Sequence, residues 1–116
     1  MAWDGSDCST AALQAAIPLL KRAREVIVIE IRDGSTKTPI EEAATYLSRH
    51  GIKPVIRQVQ PYGAKPGLVL LDEVRSTHVA YLVMGGFGHL RFTEALFGGV
   101  TRMMLNESPV PLFLAH

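Results

Sequence analysis

Hydrophobic positions along the chain switch between two periods. Leu13, Ile17 and Leu20 recur at helical spacing with Ala12 and Ala16 beside them, which predicts a helix from Ser9 to about Arg24. Asp4, Ser6, Asp7 and Ser9 offer N-caps ahead of it, and Pro18 inside the pattern predicts a kink. Glu25 to Ile31 reads Glu-Val-Ile-Val-Ile-Glu-Ile, the β-branched, nearly continuous apolar run of a strand covered on both faces. Arg32 to Lys37 is a polar loop. Thr38-Pro39-Ile40-Glu41 then combines a capping box with a proline at the first helical position. Ile40, Ala43, Ala44 and Leu47 follow on one helical face, and Gly51 supplies the left-handed residue that ends the helix.

Ile52 to Gln58 is a more polar strand, and Pro54 with its flanking charges suits a sheet edge. After a loop from Gln60 to Gly67, Leu68 to about Ser76 predicts a helix, although Leu68 to Leu71 alone also fits a strand. Val79 to Met84 is a buried strand running into Gly85-Gly86. A loop with one short helical turn covers Phe87 to Phe97, a helix runs from Gly99 to Asn106, and Pro109 to Ala115 is a last strand. With a strand fragment at Met1 to Trp3, strands and helices alternate throughout. That order predicts an α/β fold with right-handed crossovers and a parallel sheet covered on both faces.

The 116 residues make a single domain, 1–116. The charge is nearly balanced, 12 Lys+Arg against 11 Asp+Glu, which argues against a nucleic-acid binder working through a dense basic face. Cys8 is the single cysteine, so neither an intramolecular disulfide nor a multi-cysteine zinc site is available. No apolar run reaches the ~20 residues of a membrane span. No secretory signal is visible either, so the expected compartment is the cytoplasm.

In parallel α/β sheets, ligands bind beyond the carboxyl ends of the strands, where strand order reverses. Three unusual segments fall near such ends: Trp3-Asp4-Gly5-Ser6, Met84 to His89, and Phe97 to Thr101. Glycines after a strand and again at a helix start let backbone N–H groups approach an anion, and the helix dipole adds partial positive charge. A lone Gly-Gly-x-Gly reads equally as a tight turn. Asp4 can accept hydrogen bonds from a ribose or a base.

The spacing Gly85-x2-Gly88-x9-Gly98 followed by a small residue resembles the nucleotide loop of the universal stress protein family. Ala2-Trp3-Asp4-Gly5-Ser6 resembles the end of that family's first strand and its turn, and Leu82 to Gly85 its fourth strand. Ser108-Pro109-Val110-Pro111 with Leu112-Phe113-Leu114 resembles its terminal strand, so the resemblance spans nearly the whole chain. It implies a three-layer α/β sandwich with a five-stranded parallel sheet, Rossmann-like and of the adenine-nucleotide α-hydrolase-like type, with the first strand truncated. It further implies a stress-response homodimer joined by the last strand, Val110 to Ala115, that binds ATP or AMP as a regulatory ligand. Any metal would be Mg carried by the nucleotide. Position by position, Asp4 and Ile31 border adenine and ribose, Met84 lines the base pocket, and Gly85, Gly88, Gly98, Gly99 and Val100 present backbone groups to ribose and phosphates.

Two departures stand out. Gly99 replaces the family's Ser or Thr, so one phosphate hydrogen bond is lost. Only Met1, Ala2 and Trp3 precede Asp4, which suggests a piece of a longer chain, such as the second half of a tandem protein. No nucleophile, base and orienting group occur together, so catalysis is not expected. Slow nucleotide hydrolysis would have His89 as its only base. The competing reading is a nucleotide-free dimeric scaffold of the same fold. Cys8 reads as inert, Glu41 and Glu42 as helix-dipole partners, and His50, His78 and His116 have no metal-ligand spacing.

Overall fold

A computed structural model of the chain describes residues 1–86 and 99–116. In order, the elements are α1 (Asp7–Leu20), β1 (Val26–Ile31), α2 (Ile40–Arg49), β2 (Pro54–Val59), α3 (Pro66–Thr77), β3 (Leu82–Gly85), α4 (Gly99–Glu107) and β4 (Leu112–Ala115). β1 pairs with β2 in parallel, from Val26 opposite Pro54 to Ile31 opposite Val59. β3 pairs with β4 in parallel, from Leu82 opposite Leu112 to Gly85 opposite Ala115.

The expected five-stranded sheet is thus resolved into two two-stranded sheets. Met1 to Trp3 joins them. Ala2 N–H donates to the Val83 carbonyl, Ile29 N–H to Met1 and Trp3 N–H to Ile29, each at 2.8 Å. The Met1 amine donates to Ile27 at 2.9 Å. Three residues complete a single bridge, Ala2 with Ile29, and are too few for a ladder. Even so, they satisfy backbone groups that would otherwise be buried without partners.

Helices cover the strands on both faces. On one face α1 and α2 bury Leu13, Ala16, Ile17, Ile40, Ala43 and Leu47 against Val26, Val28 and Val83, with Trp3 in the same cluster. On the other, Leu70, Leu71 and Val74 of α3 and Met104 of α4 pack on Leu82 and Met84. Alternate residues of β3 therefore feed opposite cores, as strand geometry requires.

Several boundaries differ from the sequence pattern. α1 stops at Leu20 instead of Arg24, because Leu20 is its last buried position and Lys21, Arg22 and Arg24 are exposed. Pro18 falls in the last turn, where its missing N–H removes little of the helix. The capping box does not form: Pro39 is the N-cap and no side chain caps α2. The Thr38 backbone is committed elsewhere, its carbonyl accepting the Trp3 indole N–H at 2.9 Å. Gly51 is left-handed (φ 77°) as expected. α3 begins at Pro66 and includes Leu68 to Leu71, which removes the strand alternative. β4 starts at Leu112 because Pro109 and Pro111 cannot donate to a ladder. The expected turn at Phe87 to Phe97 lies outside the described residues.

Candidate functional site

The chain leaves Met1 to Trp3 through α1 to reach β1 on one side, and later crosses through α3 to β3 on the other. Because residues 1–3 hydrogen-bond to both β1 and β3, strand order reverses beside them. A crevice at the carboxyl ends of neighbouring parallel strands is where this architecture places ligands.

Asp4, Gly5 and Ser6 form the turn that follows the first of these strand ends. Asp4 Oδ1 accepts from the Ser6 backbone N–H at 2.9 Å and the Ser6 hydroxyl at 2.6 Å. Ser6 Oγ in turn accepts from Ser9 N–H at 3.2 Å and caps α1. Asp4 is exposed, and its Oδ2 makes no hydrogen bond among the described residues, so one carboxylate oxygen remains available. Gly5 has φ 74°, and a Cβ there would lie 2.2 Å from the Thr38 nitrogen. The turn is therefore clamped against the loop that leads into α2.

Ile31 ends β1, and Met84 is the last residue but one of β3. Met84 packs in the α3–α4 core, with Ala2 and Val100 against the same cluster. Alternation along β1, with Val26 and Val28 in the α1–α2 core, turns Ile31 toward the Met84 face.

The glycines divide by physical role. A Cβ on Gly85 would lie 2.6 Å from the Cys8 carbonyl carbon and the Ser9 nitrogen, so this glycine admits the start of α1. Its bareness serves packing first. Gly86, which the sequence reading did not single out, would place a Cβ 3.3 Å from Thr101 Cγ2. Thr101 is buried in the first turn of α4, so α4 lies directly against the strand-end turn. Gly99 opens α4 with no described residue within 4 Å of a Cβ position, so none of these blocks a side chain there. Gly88, Gly98 and His89 lie outside the described residues.

Burial, then Asp4 and Asp7, pushes the Cys8 thiol up, which keeps it protonated at neutral pH. Burial alone pushes the Met1 amine down from 8.0 to about 5. Among the described residues, no helix is long and apolar enough to cross a membrane.

Two features escaped the sequence reading. Trp3, which the pattern marks only as the end of a strand fragment, is 5% exposed and packs in the α1–α2 core. Glu30, a charge at the end of an apolar strand, is 7% exposed and accepts from Gln58 Nε2 at 2.9 Å. The anomalous carboxylate in the run Val-Ile-Val-Ile-Glu-Ile was the available signal.

The model of the universal stress protein family matches residues 1–116. The chain belongs to the universal stress protein family. Solved structures share the fold. Hypothetical protein MJ0577 superposes with a TM-score of 0.79 at 20% identity, covering 98% of this chain and 91% of its own. A universal stress protein from Archaeoglobus fulgidus superposes with a TM-score of 0.78 at 17% identity, covering 99% and 95%. A universal stress protein in complex with cAMP superposes with a TM-score of 0.73 at 19% identity, covering 100% and 93%. No curated protein matches the sequence.

Proposed function

We propose that this domain binds an adenine nucleotide, ATP or AMP, as a regulatory ligand and does not turn it over. The reading rests on Asp4 following the Met1–Trp3 bridge, Ile31 ending β1 and Met84 lying near the end of β3, with the first turn of α4 beside the Gly85-Gly86 turn. Ile31, half-buried at the end of β1, offers apolar surface to a base, with Met84 backing it from the core, and the free oxygen of Asp4 suits a ribose hydroxyl or an exocyclic amine. Backbone N–H groups at the start of α4 suit a phosphate. Gly88 and Gly98, carried from the family spacing, would complete the phosphate loop. The cAMP complex of a relative with this fold agrees in ligand chemistry.

Calorimetry with ATP, AMP and adenosine tests the site. The parent chain is expected to bind weakly, and Gly88→Val to abolish binding by filling the space a phosphate needs. Equal ATP binding by parent and Gly88→Val would remove the loop from the site.

The second reading is a nucleotide-free scaffold, favoured by the missing hydroxyl at Gly99. Mass spectrometry of the purified protein for retained nucleotide separates the two. In either case we place a homodimer contact on the β4 edge, where Leu112 to Ala115 pairs only with β3 among the described residues. A charge at Phe113 or Leu114 should yield monomers by light scattering, and dimers surviving both changes would exclude this edge. The expected compartment is the cytoplasm, which localisation of a fluorescent fusion checks.

A further inference from the structure

A second cleft, of about 550 Å³, opens at the carboxyl ends of β1 and β2 and is lined by Glu30, Arg32, Lys37, Glu41, Gln58 and Gln60 among others. It lies on the α2 face. Val26 and Val28 pack there with Ile40 and Leu47, and alternation brings Glu30 to the same side. Ile31 turns the other way, so this cleft and the proposed nucleotide site lie on opposite faces of β1.

Glu30 occupies a position where the strand otherwise places valine, and only 7% of it is exposed. A buried carboxylate is costly unless a cation or several donors meet it. Its one hydrogen bond comes from a neutral amide, Gln58 Nε2 onto Oε1 at 2.9 Å. The single ion pair among the described residues is Arg57 with Glu73, so no cation neutralises Glu30. No fully buried side-chain oxygen or nitrogen among the described residues lacks a partner. Oε2, which makes no hydrogen bond there, is therefore the atom that reaches the cleft.

Arg32 and Lys37 are exposed residues on the same cleft's wall. The cleft thus combines a largely buried carboxylate in its floor with two solvated cations at its rim, while Glu41 disfavours a second negative charge. We propose that it binds a small zwitterion of the amino-acid type, its ammonium on Glu30 Oε2 and its carboxylate held by Arg32 and Lys37. Ammonium-to-carboxylate contacts are charge-assisted and gain strength where water is excluded.

Amide chemical shifts of the whole chain, followed while adding γ-aminobutyrate, butylamine or butyrate, test this. γ-Aminobutyrate should give saturable shifts at Glu30, Arg32, Lys37 and Gln58, butylamine should bind about tenfold more weakly, and butyrate should not bind. Glu30→Gln keeps the shape and the Gln58 contact. It should lose at least about tenfold in γ-aminobutyrate affinity, with the melting temperature held or raised and adenine-nucleotide binding unchanged. Arg32→Gln, a surface change, should weaken γ-aminobutyrate but not butylamine. The proposal is overturned if butyrate binds as well as γ-aminobutyrate, if Glu30→Gln binds like the parent, or if no probe saturates by about 20 mM.

Discussion

The turn that follows Trp3 and the turn that follows β3, the two sides of the proposed nucleotide site, are built on different terms. On the first, every described backbone neighbour of the turn is engaged: Met1 with Ile27, Trp3 with Ile29, and Gly5 pressed on Thr38. Lys37 N–H also donates to the Asp4 carbonyl at 3.1 Å. At the end of β3 Gly85 is held as closely as Gly5, but Gly99, at the start of α4, meets none of the described residues. Glycines that look alike in a sequence motif therefore differ in kind. Gly5 and Gly85 are bare because other backbone fills the space, whereas at Gly99 no described residue does. Stability should be sensitive at the first two, and ligand affinity should be tunable at the third.

The largest expected effect concerns the first turn. With the Met1 amine free, burial holds it near about 5 instead of 8.0. The unfolded chain takes up that proton below pH 8, while the folded chain resists until about pH 5. Stability should therefore rise with pH across that window, by up to about 4 kcal/mol at one pKa unit per 1.36 kcal/mol. Urea unfolding at pH 5.5 and 8, compared with an Nα-acetylated chain, checks this, because acetylation removes the charge and keeps an N–H for Ile27. Identical pH slopes for the two chains would show that the amine escapes to water, and the first turn would be looser than its hydrogen bonds suggest.

Next in size are the packed glycines. Gly5→Ala strains a positive φ and drives a Cβ into the Thr38 backbone, and Gly85→Ala drives one into α1. Each should lose about 2–3 kcal/mol in chemical denaturation. Gly99→Ala, with no described residue within 4 Å of its Cβ position, should change stability by less than about 0.5 kcal/mol. Equal losses at all three would erase the distinction between the turns.

The smallest effect sharpens it. Gly99→Ser adds the hydroxyl that relatives carry, in space no described residue fills, and should tighten ATP binding by about 1 kcal/mol in calorimetry if the nucleotide reading holds. A serine variant that binds no nucleotide would favour the scaffold reading.

Sequence alone determined the order of the elements, because apolar period and breakers are local. The run from Val26 to Ile31, the face of Ile40, Ala43 and Leu47, the left-handed Gly51 and the glycine spacing that points to the family all depend on neighbours within a few positions. It also placed Asp4, Ile31 and Met84 at or near strand ends, since the order of the elements puts those ends in a known place. Tertiary structure decided what depends on distant partners. It spent Thr38 on Trp3 instead of on a helix cap, because an indole N–H 35 residues away needed an acceptor. It let three residues bridge two sheets instead of forming a strand, because both neighbours offered unpaired backbone groups. It separated Gly85 from Gly99, because only the approach of α1 distinguishes them. It also turned Glu30 into a buried carboxylate over a polar cleft, because burial belongs to the packed chain and not to the residue.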